Sequence, residues 1–361
     1  MGDHVYATGP AKARERTRGC SLNASRVKVG IIGLGNICDF HIPALQALAD
    51  RVDISAVCCR TEEKGQRRAA ELEAAYVADY VDTFDNAHAL IIATPHNTHF
   101  PMVRDALTAG VKHILVEKPA ALTVEECDEL IELADKEGAS VTVGYVLRHA
   151  PAIQKMKQLL DEGRYGPAIA ALCRTEHGFD PEEFVEFLPS ARKIETIGGG
   201  VLFSHGCHYV DLLIWLLGDV TGAQCVRNHT LLKEVMEGED SAIANFTFDS
   251  GAVASYFATW AVRYRELAID LRVYCLEGQI VFQQLEDAST ALYTIDKDGR
   301  HDLHSELDPA ADGPTDGFIT VGLFQRQAEA WLDTIQSGKP TSVSLREGKK
   351  SIAAIRQAEA S

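Results

Sequence analysis

Val27-Lys28-Val29-Gly30-Ile31-Ile32-Gly33-Leu34-Gly35-Asn36-Ile37-Cys38 runs from an apolar strand through two closely spaced glycines into the start of a helix. Gly33 suits the tight turn, and Gly35 lets backbone approach a pyrophosphate. The small Cys38 stands where a third glycine or alanine would let helix and strand pack. An anion would rest on the exposed amides of the helix N-terminus, the turn that holds Asn36 and Ile37. A pair of glycines is weak by itself. Its context strengthens it, because a second apolar strand, Val52-Asp53-Ile54-Ser55-Ala56-Val57-Cys58-Cys59, follows about one helix later.

That second strand ends in Cys59-Arg60-Thr61, with no acid before Glu62. NAD sites usually place Asp or Glu there to bind the ribose hydroxyls, whereas an Arg beside a hydroxyl suits a 2′-phosphate. Arg60 and Thr61 therefore favour NADP over NAD, against the plainer reading of Arg60 as a solvated loop residue. Lys64, Arg67 and Arg68 either add to that positive charge or line a helix face. The β/α alternation continues through the strand Ala89-Leu90-Ile91-Ile92-Ala93-Thr94-Pro95 and its polar end His96-Asn97-Thr98-His99. A helix over 102–109 leads to His113-Ile114-Leu115-Val116-Glu117-Lys118-Pro119. Ligands of open parallel sheets bind outside the carboxyl ends of strands, so Thr94, Pro95, Asn97, Glu117 and Lys118 are cofactor candidates. Lys118 is also placed to meet a substrate. A helix over 124–137 and a strand over 140–144 close the domain.

A second informative stretch is Gly198-Gly199-Gly200-Val201-Leu202-Phe203-Ser204-His205-Gly206-Cys207-His208-Tyr209-Val210-Asp211, continuing into an apolar run to Gly218. Three glycines offer backbone that could lie against a ligand. A helical apolar pattern follows at once, and Ser204, His208 and Asp211 recur at spacings of four and three, so they share one helix face. His205 is a substrate candidate or a structural histidine, and Asp211 orients His208 or caps a neighbouring segment. Tyr145 and Arg148 read as fixing the crossing between domains, and Arg192 lines a substrate site or a surface loop. Beyond Gly218, period-two strands follow at 224–231, 241–248, 252–260, 266–274, 278–283 and 291–296. A loop is expected at 309–317, and helices at 324–335 and 345–360. The alternation predicts a sheet with one face on helices and the other free for a subunit partner.

At 361 residues the chain is long enough for two domains. Its net charge of −17, from 52 acids and 35 bases, argues against nucleic acid or an anionic membrane as partner. Nine cysteines without a CxxC pair or His/Cys ligand spacing point to reduced thiols in a cytoplasmic protein, and no metal is expected. No apolar run reaches ~18 residues. Residues 1–25 lack a signal core and read as a disordered tail.

Taken in order, Gly33-Leu34-Gly35-Asn36-Ile37, Ala93-Thr94-Pro95 with His99, Glu117-Lys118-Pro119, Gly144-Tyr145, Arg148 and the glycine segment leading to His208 resemble the Gfo/Idh/MocA oxidoreductases. That group includes glucose–fructose oxidoreductase and inositol dehydrogenases, and the likeness covers roughly 26–218. It implies an α/β fold: an N-terminal Rossmann domain over 26–148 that binds NAD(P), then an α+β domain over 149–361. The second domain would carry a large, mostly antiparallel open sheet, which commonly forms the oligomer interface, so a homodimer or homotetramer is expected. The resemblance makes Lys118 the catalytic lysine and His208 the catalytic histidine. One departure stands out: many members carry Asp four residues before that histidine, where this chain has Ser204.

An imidazole suits transfer of a hydroxyl proton because it titrates near neutral pH. A pre-positioned ammonium suits stabilisation of a developing oxyanion. The expectation is therefore hydride transfer between NAD(P) and a ring alcohol or ketone of a sugar, sugar derivative or cyclitol. Lys118, His208 and Ser204 would be catalytic, and Lys118, His208, His205 and Arg192 would contact substrate. Two alternatives stay open. One is an enzyme that cleaves or eliminates a glycosidic substituent through transient oxidation. The other is a non-catalytic NAD(P) sensor, against which retention of both Lys118 and His208 argues.

Overall fold

A computed structural model describes residues 26–264, 267–285, 289–303, 320–341 and 343–361. The expected tail at 1–25 and loop at 309–317 lie outside these residues. The described chain forms two units: 26–121, 125–144 and 324–346 in the first, and 122–124, 145–323 and 347–361 in the second. Read in line, the sequence puts everything after 148 in the second domain, but in the structure 324–346 returns to the first unit. The cause is the helix Val321–Ser337, whose Ala328, Trp331, Leu332 and Ile335 join the core around Val29, Ile31, Val57 and Ile91.

The first unit holds a parallel six-stranded sheet of β1 (Val27–Ile32), β2 (Val52–Cys58), β3 (Ala75–Val77), β4 (Ala89–Ile92), β5 (His113–Val116) and β6 (Ser140–Val143), in the order β3-β2-β1-β4-β5-β6. Strands β1, β4 and β5 are almost wholly buried, as parallel strands covered on both faces must be. β3 is three residues long, too short to show a period in sequence. The order reverses between β1 and β4, which are neighbours, and a crevice beyond their carboxyl ends is where such sheets bind ligands. Register aligns those ends: Ile32 pairs with Ile92, Ile92 with Val116, and Val116 with Val143. Gly33, Ala93, Glu117 and Gly144 therefore follow one another along a single sheet edge.

The second unit is built on an eight-stranded sheet of β7 (Ala168–Glu176), β8 (Val220–Asn228), β9 (Ser241–Phe248), β10 (Val253–Thr259), β11 (Leu267–Cys275), β12 (Gly278–Leu285), β13 (Thr290–Asp296) and β14 (Gly299–Asp302). Its order is β14-β13-β12-β11-β7-β10-β9-β8, antiparallel except where β7 pairs with β10. Asp249-Ser250-Gly251 makes the expected hairpin, with Gly251 at φ 86°. Alternate residues face inward, such as Ala242, Ala244, Phe246 and Phe248 of β9. The helix Cys207–Leu217, buried along nearly its whole length, packs on β7 and β10. The opposite sheet face leaves Leu172, Ile243, Val253 and Val226 exposed. No single described helix is long and apolar enough to cross a membrane.

Candidate active site

In the first unit the glycine turn behaves as its residue types require. Gly33 sits at φ 95°, and a Cβ there would lie 2.4 Å from the Ala93 carbonyl oxygen, so only glycine fits. Around Gly35 the situation is opposite, since a Cβ would meet no atom within 4 Å. The open space faces the start of the helix Cys38–Gln46, whose N-cap Ile37 has no side-chain cap. Open space beside a glycine turn at a switch point, where no side chain caps the helix, fits a dinucleotide pyrophosphate. Cys38 takes the packing role expected of it, its Sγ 3.0 Å from the Gly33 carbonyl oxygen. Burial, followed by the nearby Glu117 charge, pushes its thiol up to about 12, so it is not a nucleophile.

At the end of β2, Arg60 and Thr61 are both exposed. Two of the nearby arginines are engaged: Arg68 bonds Asp39 and Glu71, and Arg67 lies 4.0 Å from Glu71. At the end of β4 the Thr98 hydroxyl oxygen lies 2.6 Å from both the Thr94 hydroxyl and the Pro95 carbonyl oxygen, while Asn97 is exposed in a short 3-10 turn.

Glu117 is not an exposed cofactor contact. It is 5% exposed, with Oε1 2.8 Å from His41 Nε2, and Oε2 accepts the Lys118 backbone N–H at 3.2 Å. A Cβ on Gly144 would come within 3.0 Å of its carboxylate, which explains that glycine. Burial pushes the Glu117 carboxyl up, but the His41 bond and the His41 and Lys118 charges outweigh it and hold its pKa below the ordinary value. Lys118, half-buried beyond this anchor, is joined to Pro119 by a cis bond. The Pro119 carbonyl is in turn held by His99. His41 was not legible as part of the site. Its only signal is a histidine inside an otherwise apolar helix face.

In the second unit the polar row spans a break. Val201–Ser204 and Cys207–Leu217 are separate helices, interrupted at Gly206, whose N–H bonds the Val201 carbonyl. A Cβ on Gly206 would strike the Leu202 oxygen at 2.3 Å. Ser204 and His208, 8% and 5% exposed, stand on either side of this break. The expectation that the three glycines leave backbone open to a ligand does not hold for Gly200. It lies against Gly238 and Glu239, where a Cβ would come within 2.3 Å of backbone. The Glu239 carboxylate caps the following helix through the Leu202 N–H, a role without any sequence signal. Gly198 is fixed at φ 83°, its carbonyl held by Arg356.

Asp211 resolves in favour of the neighbouring segment. Its two oxygens take Arg148 Nε and Nη2, both at 2.7 Å, in a pair 1% and 4% exposed. Burial pushes the Asp211 carboxyl up to about 6 against the opposing pull of Arg148. His208 lies edge-on to Tyr145, ring centroids 6.0 Å apart. His205 Nε2 is 3.1 Å from Nε2 of His177, a partner that sequence reasoning passed over at the end of β7. Arg192 bonds the Val235 carbonyl from an exposed position, and Lys193 bonds Glu237.

Residues 27–145 match the model of an oxidoreductase family with an NAD-binding Rossmann fold, and residues 153–281 match the GFO/IDH/MocA C-terminal domain. The chain belongs to the Gfo/Idh/MocA oxidoreductase family. It is 29% identical over 235 residues to 1-carboxy-3-chloro-3,4-dihydroxycyclohexa-1,5-diene dehydrogenase of Comamonas testosteroni, covering 63% of this chain and 57% of that one. It is 28% identical over 338 residues to inositol 2-dehydrogenase 3 of Saccharopolyspora erythraea, covering 89% of each. The match thus spans less than two thirds of the first relative and most of the second. An oxidoreductase from Agrobacterium radiobacter, solved with NAD+, L-tartaric acid and magnesium, superposes with a TM-score of 0.81 at 18% identity. That likeness, over 93% of this chain and 96% of the other, establishes the shared fold.

Proposed function

We propose that this protein is an NAD(P)-dependent dehydrogenase acting on a ring secondary alcohol, or the corresponding ketone, of a sugar, sugar derivative or cyclitol. The observation that carries the reading is Lys118. It stands on a turn at the carboxyl end of β5 whose backbone is anchored by the buried Glu117–His41 pair. An ammonium held at a ligand-binding sheet edge is what stabilisation of a substrate oxyanion requires. Relatives named as dehydrogenases of a dihydroxycyclohexadiene and of inositol support a cyclic polyol as substrate class.

Gly33, Gly35, Asn36 and Ile37 would hold the pyrophosphate, Arg60 and Thr61 the adenosine ribose, and Thr94, Pro95 and Asn97 the nicotinamide end. The exposed Arg60 and Thr61, with no acid at the strand end, support NADP over NAD. The bound dinucleotide supplies a hydride acceptor or donor. His208 takes the hydroxyl proton in oxidation and returns it in reduction. Lys118 orients the hydroxyl and stabilises the charge that develops on its oxygen. Ser204 replaces a carboxylate with a neutral hydroxyl, which can bond substrate but gives no charge to pair with an ammonium. The exposed apolar residues Leu172, Val226, Ile243 and Val253 support assembly of two or four copies through the second sheet.

Purified protein with NADP or NAD and a panel of cyclic polyols should show a rise in reduced-nicotinamide absorbance. Lys118→Ala should remove it while cofactor binding, followed by fluorescence, stays within about threefold. Near-normal turnover in that variant would overturn the assignment, and substrate conversion without any absorbance change would mark redox-neutral cleavage instead. Tighter binding of NADPH than NADH, weakened by Arg60→Ala, tests the cofactor choice. Leu172→Glu should shift the particle to monomer mass in light scattering, and an unchanged mass would rule out that face.

A further inference from the structure

His99 is fully buried in the first unit. Both its ring nitrogens lie 2.7 Å from carbonyl oxygens, Nδ1 from Pro119 and Nε2 from Thr94. A carbonyl oxygen only accepts, and a neutral imidazole has one N–H, so the neutral ring can donate to one of the two. Only the imidazolium donates to both. The acceptors belong to different turns: Thr94 follows β4 within the proposed cofactor edge, and Pro119 follows Lys118 after β5.

We propose that His99 is the positioning residue for Lys118, tying the Lys118–Pro119 turn to the Thr94–Pro95 turn, and that one proton decides whether it holds one turn or both. The inference rests on the dehydrogenase reading of Lys118. Three observations shape it. The Pro119 bond lies between buried residues, whereas Thr94 is half-buried, so the Thr94 oxygen is the less costly of the two to leave without the ring. The neutral ring therefore keeps its hydrogen on Nδ1, for Pro119. The charged groups facing the ring are Glu117, which favours the cation, and Lys118, which opposes it. His96, with its ring centroid 5.8 Å away, and His41, beyond Glu117, complete the set. Burial lowers the His99 pKa, against the pull of the two carbonyls and Glu117, so the second arm is completed only on acidification. Above that transition the cofactor turn and the lysine turn are joined through one bond less.

Protein labelled with [15N]histidine reports both ring nitrogens directly, without any turnover. Between pH 8 and pH 5, Nδ1 should keep the shift of a protonated nitrogen while Nε2 passes from bare to protonated, with a midpoint below the ordinary histidine value of about 6.5. The Lys118 amide, read in [15N]lysine-labelled protein, should move with the same midpoint. A ring that does not titrate, a bare Nδ1, or a Lys118 amide indifferent to the transition would overturn the proposal. Variants add a functional arm. The amide of His99→Asn stands near Nδ1 and keeps the Pro119 bond, whereas that of His99→Gln stands near Nε2 and keeps the Thr94 bond. His99→Asn should lower kcat less than His99→Gln does and should lose the His99 limb of the pH profile. His99→Gln should lower kcat by about ten- to a hundredfold with little change in cofactor KM. Equal losses in both variants with an unaltered pH profile would assign His99 a purely structural role. Should the wild type oxidise no polyol, the dehydrogenase reading fails while the histidine titration still decides this one.

Discussion

Replacing Arg148 by Met would remove the cation from a pair that is 4% and 1% exposed and joined by two bonds of 2.7 Å. Little water reaches the site, so the Asp211 carboxylate would be left charged and unpaired. Breaking such a pair from one side costs about 3–5 kcal/mol, well above the few tenths expected of an exposed pair. For a unit of this size that lowers the melting temperature by about 10 °C. The charge on Asp211 gives the loss a pH signature. Burial already pushes its carboxyl up to about 6 while Arg148 opposes, so without Arg148 the value rises further. A carboxyl with a raised folded pKa holds its proton better in the fold than in the unfolded chain. Its contribution to stability therefore grows as pH falls through that pKa. The cost of Arg148→Met should be larger at pH 8 than at pH 5.5. Urea unfolding can be followed by tryptophan fluorescence, since the Arg148 guanidinium lies 5.4 Å from the Trp215 ring centre. The double change Arg148→Met with Asp211→Leu should recover most of the loss, because both charges go together. A single-variant cost below about 1 kcal/mol, or a double variant no better than the single, would refute the buried-pair argument.

Gly33 and Gly35 should respond differently to alanine. Gly33→Ala meets both a left-handed backbone and the Ala93 oxygen, and should destabilise the protein measurably. Gly35→Ala meets no protein atom, so it should unfold as the wild type does yet bind reduced nicotinamide dinucleotide at least about tenfold more weakly; unchanged affinity would remove Gly35 from the proposed cofactor site. Burial also lowers the pKa of His88, His99 and His113, whose protons are then taken up more readily by the unfolded chain. These three groups should make stability fall as pH drops from about 7 to 6, with Asp211, whose carboxyl is pushed up to about 6, opposing them. A urea midpoint that rises over that interval would contradict the assignment.

What the sequence revealed and what it hid divide along a physical line. The Rossmann half was legible because β1, β2, β4 and β5 are short apolar runs, each followed within two residues by a glycine or a polar side chain. A steric demand such as that on Gly33 is local, set by its own φ and one neighbouring strand. The strands of the second sheet showed themselves through period two, as β9 does with alternate buried positions. Partners distant in sequence left no trace. Glu239 caps a helix 37 residues earlier, Arg148 meets Asp211 across 63 residues, and His41 reaches Glu117 across 76. The return of Val321–Ser337 to the first unit was invisible for the same reason, since an amphipathic helix records that it has an apolar face but not which core receives it. The glycine segment shows how the two kinds of information mix. Three glycines in a row correctly announced a close approach, yet at Gly200 the approaching group is the backbone of Gly238 and Glu239, not a ligand. Absence of a side chain marks a contact without naming the partner. Lys118 is legible from its place instead: a long cation at the carboxyl end of a parallel strand, its backbone anchored by a buried carboxylate, stands where such sheets bind ligands.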